Sequence, residues 1–477
     1  MSFRLPLLFL RSWSWELLCF LIYFALAASQ LFMTPVTGLA DNGDFPKVLG
    51  PVDICAPNQW TDQLSYVYRR LEVAGECHFD SGLTSSEALF VLVIRQFADW
   101  EGHGTFKITG AGKIHLTVVL LALATLLWAL HYQPSLFRFG VPPLILLIFS
   151  DVAYVSYLNS FYMDAGSMIL LFLVVSIATA AILRPRFWMA IAFGLVGLFF
   201  VTSKAQHAPI AVALAALSIW FARRSSRAKA DCWILSGVVV LAGFVFMVVR
   251  TPQDYKAQAL NNLIFFRFTP DADGQTAALA EFGLPSSYTA YIGTHSYSPN
   301  TPVNDEEWQR QFMDRTSFGK IGLYYLNHPE ITLDILGHSL AVDASSIRPD
   351  NLANFEREDG FPPNTHATRF SWWSNLRSRM VRAFPAHLVI FYAIMAGGAV
   401  ACIMRAPLAS RWPLYPLVLL LSSAGIVEFV LAVLGDCLET SRHLFLFHVI
   451  TEILIVYGFA AILALLAGRR RGIPANG

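Results

Sequence analysis

Between residues 37 and 50 the chain reads TGLADNGDFPKVLG. Asp41 and Asp44 flank an Asn-Gly turn a few residues beyond a long apolar run. A turn needs no carboxylates, so the pair points to chemistry or to ordinary solvated sequence. One chemistry is general-base attack on a hydroxyl; the other is oxygen ligation of a divalent cation such as Mg or Mn. Three further junctions between apolar and polar sequence carry charges in the same way. SDVAYVSYLNSFYMDAG supplies Asp151, Asn159, Tyr162 and Asp164, and TSKAQHAP supplies Lys204, Gln206 and His207. GDCLETSRHLFLF supplies Asp436, Glu439, Arg442 and His443, while the first loop adds Asn42.

An ionisable group at bilayer depth costs about 2.5–3.5 kcal/mol, so such groups face a partner or a cavity. Lys204 with His207, and Arg442 with His443, form two cationic pairs at matching depth. Together they suit a phosphate, with Arg442 offering two parallel donors. Snorkelling to the interface is the bland reading of each alone. Glu428 and Glu452, inside apolar runs, read as hydroxyl partners, lumen-lining groups or members of a proton relay.

These junctions need a membrane scaffold to position them. The chain has 477 residues, 55% hydrophobic and 14% charged. Soluble domains average about 25% charged, so the composition is that of a polytopic membrane protein. A net charge of +1 argues against a nucleic-acid partner, which requires a basic face. The spacing of apolar runs predicts an all-α chain of about ten transmembrane helices, near 15–37, 114–131, 141–158, 165–183, 187–203, 208–222, 232–249, 385–404, 413–434 and 444–466. The first reads as an uncleaved span. Arg4 and Arg11, Arg138, Arg184 with Arg186, the run from Arg223 to Lys229, Arg405 with Arg411, and Arg469 to Arg471 all fall on one side. Positive-inside bias makes that side and both termini cytoplasmic.

The expected organisation is a module over 1–249 with a first outer loop at 38–112, an extracytoplasmic segment at 250–384, and a closing module at 385–477. Cys55 and Cys77 share the first loop, where an oxidising compartment permits a disulfide, with Cys437 as a competing partner. Residues 85–100, SSEALFVLVIRQFADW, suit an interfacial helix capped by Ser86 or the core helix of a small outer domain. FSWWSNLRSRMVRAF, carrying Trp372, Trp373, Arg377, Arg379 and Arg382, suits an interfacial belt able to meet anionic headgroups of membrane lipids. A helix beginning EEWQRQF is expected to end at His328, before Pro329.

The acidic motif directly after the first span, Asp41-Asn42-Gly43-Asp44, resembles that of the GT-C superfamily of membrane glycosyltransferases. YYLNHPE, NSFYMDA, SKAQHAP and RHLFLF are similar to stretches of bacterial members, and the many spans, long first outer loop and interfacial helices fit the same pattern. The resemblance implies a polyprenyl-phosphate-linked sugar donor and a glycan, lipid or protein acceptor. It places the site on the outer face of a bacterial inner membrane. Asp41 or Asp44 would be the base, the Asn-Gly insertion leaving open which one. Lys204, His207 and Arg442, with His443, would neutralise the leaving phosphate. Asn42, Asn159, Tyr162, Asp164 and Gln206 would contact substrate, with Asp44 and Asp164 as the cation ligands if a metal takes part; no cofactor is strictly required. A flippase or transporter of lipid-linked sugar is the first alternative, and a polysaccharide polymerase or ligase the second.

Overall fold

A computed structural model describes residues 4–55, 62–73, 82–101, 105–270, 274–405, 409 and 412–470. Among the described residues, eight helices are long and apolar enough to cross a membrane: Ser12–Leu31, Ile108–His131, Met163–Leu183, Ala205–Ala222, Arg227–Arg250, Ala386–Met404, Tyr415–Leu434 and Phe445–Leu466. The chain is a multi-pass membrane protein. Met163–Leu183 is apolar on every side and is the central helix, with 83% of its apolar window buried against 28% for Ala386–Met404.

Two of the ten expected spans differ from simple helices. The 141–158 run is a pair, Ser135–Phe149 and Val152–Leu158, bent by 69°. Asp151 causes the break. Its Oδ1 accepts the backbone N–H of Ala153 at 2.9 Å, capping a new helix, while its Oδ2 accepts Ser374 N–H at 2.9 Å. The 187–203 run is a 14-residue helix, Trp188–Val201. At about 1.5 Å per residue it is shorter than the roughly 30 Å hydrocarbon layer.

Among the described residues, β-structure is confined to the first loop, a feature the helical reading of the sequence does not include. Ile54–Cys55, Arg70–Val73 and Thr105–Lys107 form an antiparallel sheet in that order, with Ile54 opposite Val73 and Arg70 opposite Lys107. The Cys55–Cys77 pairing lies outside the described residues, and Cys437 is a free thiol 3.3 Å from the Asn262 carbonyl. The interfacial stretch is helix Glu87–Glu101. Ser85, not Ser86, accepts the first free amide, that of Glu87, at 3.1 Å; Ser86 Oγ donates to the Phe199 carbonyl.

Residues 251–384 build a second core around Phe265, Tyr288, Trp308 and Phe312, with the Trp308 and Phe312 rings stacked 4.5 Å apart. The helix beginning at Glu306 stops at Arg315; two more, Phe318–Asn327 and Pro329–Ala341, follow, the first ending before His328-Pro329. This segment also pins the start of the first loop. Gly38 and Ala40 N–H donate to the carbonyls of Asn354 and Ala353 at 3.1 and 2.9 Å, and Leu39 N–H to that of Asn159 at 3.3 Å.

The belt helix, Trp372–Ala383, is only partly interfacial. Trp372 is exposed, but Trp373 Nε1 donates to Glu452 Oε2 at 2.8 Å and Arg377 Nε meets Glu452 Oε1 at 2.9 Å. Arg377 and Glu452 are both buried, so Arg377 is an internal partner and not a headgroup contact. Removing one member leaves the other charge buried without its counterion. Arg377→Ala is expected to cost about 3–5 kcal/mol, and a Met/Leu replacement of the pair to recover most of it. Thermal unfolding of detergent-solubilised protein checks both.

A candidate active site where the span ends converge

The four charged junctions meet at one end of the bundle. Basic residues anchor the other, where Arg138 pairs with Glu16, and Arg184 and Arg224 lie 3.8 and 4.3 Å over the rings of Tyr132 and Trp220.

The loop between the two acids is built by Asp41. Its Oδ1 accepts the backbone N–H of Gly43 at 2.9 Å and of Phe45 at 3.0 Å, closing an Asx turn. Gly43 sits at φ +99°, where a side chain would be strained. Tyr162 holds the turn from below, its hydroxyl donating to the Ala40 carbonyl at 2.7 Å and accepting Asn42 N–H at 2.9 Å. Asn159 works one layer deeper. Its Nδ2 donates to the carbonyls of Leu31 and Thr37 at 2.9 and 2.8 Å, tying the end of the first span, and it is fully buried away from the pocket. Asp41 is 1% exposed and its Oδ2 has no hydrogen-bond partner. Burial pushes its carboxyl up from an ordinary 3.8 to about 7, against the pull of the Phe45 and Gly43 amides.

Asp44 faces the other way. Its Oδ1 meets Lys47 Nζ at 2.6 Å and its Oδ2 meets Arg442 Nη2 at 2.8 Å. Burial opposes its ionisation, but Arg442 and Lys47 outweigh burial and hold the carboxyl well below the usual range. Arg442 joins the junctions together. Beyond Asp44 its Nε meets Glu439 Oε2 at 3.1 Å, its Nη1 lies 3.6 Å from Asp164 Oδ2, and it lies 5.3 Å over the Tyr162 ring. Asp164 is buried and receives Lys204 Nζ on both oxygens, at 2.9 and 3.1 Å. Behind it, His207 Nε2 stands 3.7 Å from Asp164 and its Nδ1 2.8 Å from Glu428 Oε1. Gln206 closes this layer, bonding Glu428 and the His443 carbonyl, the latter at 3.0 Å.

These side chains line a pocket of about 70 Å³. Its charged and imidazole lining is Asp44, Lys47, Asp164, Lys204, Asp436, Glu439, Arg442 and His443; Tyr255, Gln258, Asn262, Ser296 and Tyr297 line it as well. Of the sequence candidates, Asp44, Asp164, Lys204, Asp436, Glu439, Arg442 and His443 meet there. Asp41, Asn42, Tyr162 and Gln206 shape it from behind, as does His207, which is buried below Asp164. His443 does not supply a positive charge: burial, with Lys204 and Arg442 nearby, holds its imidazole well below its ordinary value.

A metal does not fit the suggested pair. The Arg442 guanidinium spans Asp44 and Asp164, and among the described residues no group of three His, Cys, Asp or Glu side chains has metal-site geometry. Sequence reasoning passed over Lys47, Tyr255 and Tyr297 and underrated Glu428 and Glu439. Lys47 had a signal, lying three residues after Asp44 in the same turn. Glu428 had one too, as an acid amid apolar sequence. The tyrosines had none.

A second cavity, about 630 Å³, lies away from this site and is lined by residues such as Tyr23, Phe137, Phe172, Trp412 and Tyr457. No charged side chain is among its described lining residues. A family model described as the YfdI N-terminal transmembrane domain matches residues 8–470. No curated protein and no solved structure matches the chain.

Proposed function

The chain belongs to the family of YfdI N-terminal transmembrane domains, and from that premise we propose that it is a membrane glycosyltransferase of the GT-C type. In this reading it moves a sugar from a polyprenyl-phosphate carrier to a hydroxyl of a glycan, lipid or protein acceptor. The reaction takes place at the outer face of a bacterial inner membrane. The observation that carries the reading is the convergence of Lys47, Lys204 and Arg442 with the Asp44 carboxylate in one pocket at a span end. The carrier's phosphate sits on the cations while its hydrocarbon tail stays among the spans.

Asp44 takes the proton as the acceptor oxygen attacks the anomeric carbon. The bond from that carbon to the phosphate oxygen breaks, and the phosphate leaves with the electron pair. Arg442 and the lysines stabilise the charge it gains. A single displacement of this kind inverts the anomeric centre. Asp164 keeps Lys204 and Arg442 aimed, and no step passes through a metal. The tyrosine and amide wall from residues 255–297 shapes the space for sugar hydroxyls.

The contact between His207 and Glu428, inside two spans, is what favours transport of a lipid-linked sugar instead. Transport sites lie near the midplane, whereas these polar groups gather at one end and the 630 Å³ cavity has no charged side chain among its described lining residues. Mass spectrometry of cell-surface glycans decides between the two readings. It compares a deletion strain, its wild-type complement, and a complement carrying Asp44→Asn at equal membrane level. A sugar lost on deletion and restored only by wild type supports transfer; full restoration by the variant overturns it.

A further inference from the structure

The pocket's strongest anion grip is already occupied from within. Lys47 and Arg442 come from residues far apart in the chain and converge on one carboxylate, at 2.6 Å on Oδ1 and 2.8 Å on Oδ2 of Asp44. A carboxylate held through both oxygens by two separate cations occupies the place of a phosphate held through two of its oxygens.

The other acids of the cluster have partners besides these two cations. Asp164 is 1% exposed and bound on both oxygens by Lys204. Glu439 is held by Asn42 and, at 2.7 Å, by Asn351 Nδ2. Asp44 has an 18% exposed side chain on the pocket wall, and its Oδ1 and Oδ2 contacts are the two cations themselves. The backbone around it is fixed independently, because Asp41 closes the turn through Gly43 and Phe45. The Asp44 side chain can therefore change rotamer without the loop moving.

Building on the phosphosugar reading above, we propose that Asp44 is an internal stand-in for the donor phosphate. An entering phosphate group takes its place on Lys47 and Arg442 and turns its carboxylate toward the acceptor hydroxyl. Before the donor arrives, Asp44 neutralises Lys47 and Arg442, which would otherwise repel each other across the pocket. After it arrives, the same carboxylate has lost both counterions and is a stronger base. Base activation is thus coupled to donor binding, which keeps water and stray hydroxyls from being activated in the empty site.

A competitor that must be displaced weakens the ligand it mimics, so removing its charge should tighten phosphate binding even as catalysis is lost. The test is the dissociation constant of farnesyl phosphate for the purified full-length chain in detergent, measured by calorimetry. Asp44→Asn is expected to bind about tenfold tighter than wild type, a difference of about 1.4 kcal/mol. Asp44→Ser is carried alongside and serves if the asparagine variant fails to fold. Asp436→Asn removes the same charge from the same pocket, at a carboxylate that lies 4.0 Å from His443 and not on the two cations; its affinity should stay within about threefold of wild type.

Equal or weaker binding by the Asp44 variants overturns the exchange, and so does an equal gain in Asp436→Asn, which would reduce the effect to net charge. Arg442→Gln separates this from the underlying reading. If wild type binds and Arg442→Gln binds as well, or if neither wild type nor the Asp44 variants bind at all, the phosphate site itself fails and the exchange falls with it.

Discussion

Arg442→Gln is expected to lower the rate of sugar transfer by about 10³-fold. Removing one preorganised donor from a developing oxyanion typically costs about 10²–10³-fold, and here the loss is compounded. The guanidinium also separates Asp44, Asp164 and Glu439, which it contacts at 2.8, 3.6 and 3.1 Å. Glutamine leaves those three carboxylates facing one another and facing an incoming phosphate of the same sign. Arg442→Lys keeps the charge but loses the planar fork, and a point charge cannot reach three acids at once. It should retain about tenfold more activity than glutamine. Initial transfer rates in membrane vesicles, normalised to the amount of folded protein, give both numbers. A glutamine variant within tenfold of wild type would remove Arg442 from the reacting phosphate.

Charge at span ends was the legible signal, because the cost of placing an ion at bilayer depth is large enough to demand a reason. That logic found Asp44, Asp164, Lys204 and Arg442 from four distant stretches. It could not rank Asp41 against Asp44, since the direction of each side chain depends on an Asx turn held by Tyr162, 120 residues away. It treated Asp151 as another candidate charge, whereas the residue caps a helix and bends a span. Asn159 and Arg377 misled for a related reason. Polarity beside an apolar run looks the same whether the partner is a substrate or a backbone carbonyl, and in both cases the partner is internal. Eight of the ten expected spans followed from hydropathy, and the first-loop sheet did not, because its strands are two to four residues long.

The two acids of the opening motif should separate cleanly when each is made an amide. Asp44→Asn removes the carboxylate on the pocket wall and should cost about 10²–10⁴-fold in transfer rate, the usual range for a general base. Asp41→Asn should stay within about fivefold, because its amide oxygen can still accept the Gly43 and Phe45 N–H groups that set the turn. Stability gives an independent reading of Asp41. Its carboxyl is held at about 7 in the fold against an ordinary 3.8, so the folded chain binds the proton more tightly than the unfolded one. The stability this contributes is complete below about 4 and is lost as pH rises to about 7, at up to about 1.4 kcal/mol per pH unit. Above 7 the loss is complete and the slope from this group vanishes. Asp41→Asn cannot titrate, so the stability difference between variant and wild type should grow in the variant's favour from pH 4 to 7 and then level. Thermal melts across that range measure it directly. A wild-type curve parallel to the variant's would mean that Asp41 is ionised in its turn, and a rate loss in Asp41→Asn equal to that of Asp44→Asn would return both acids to the chemistry.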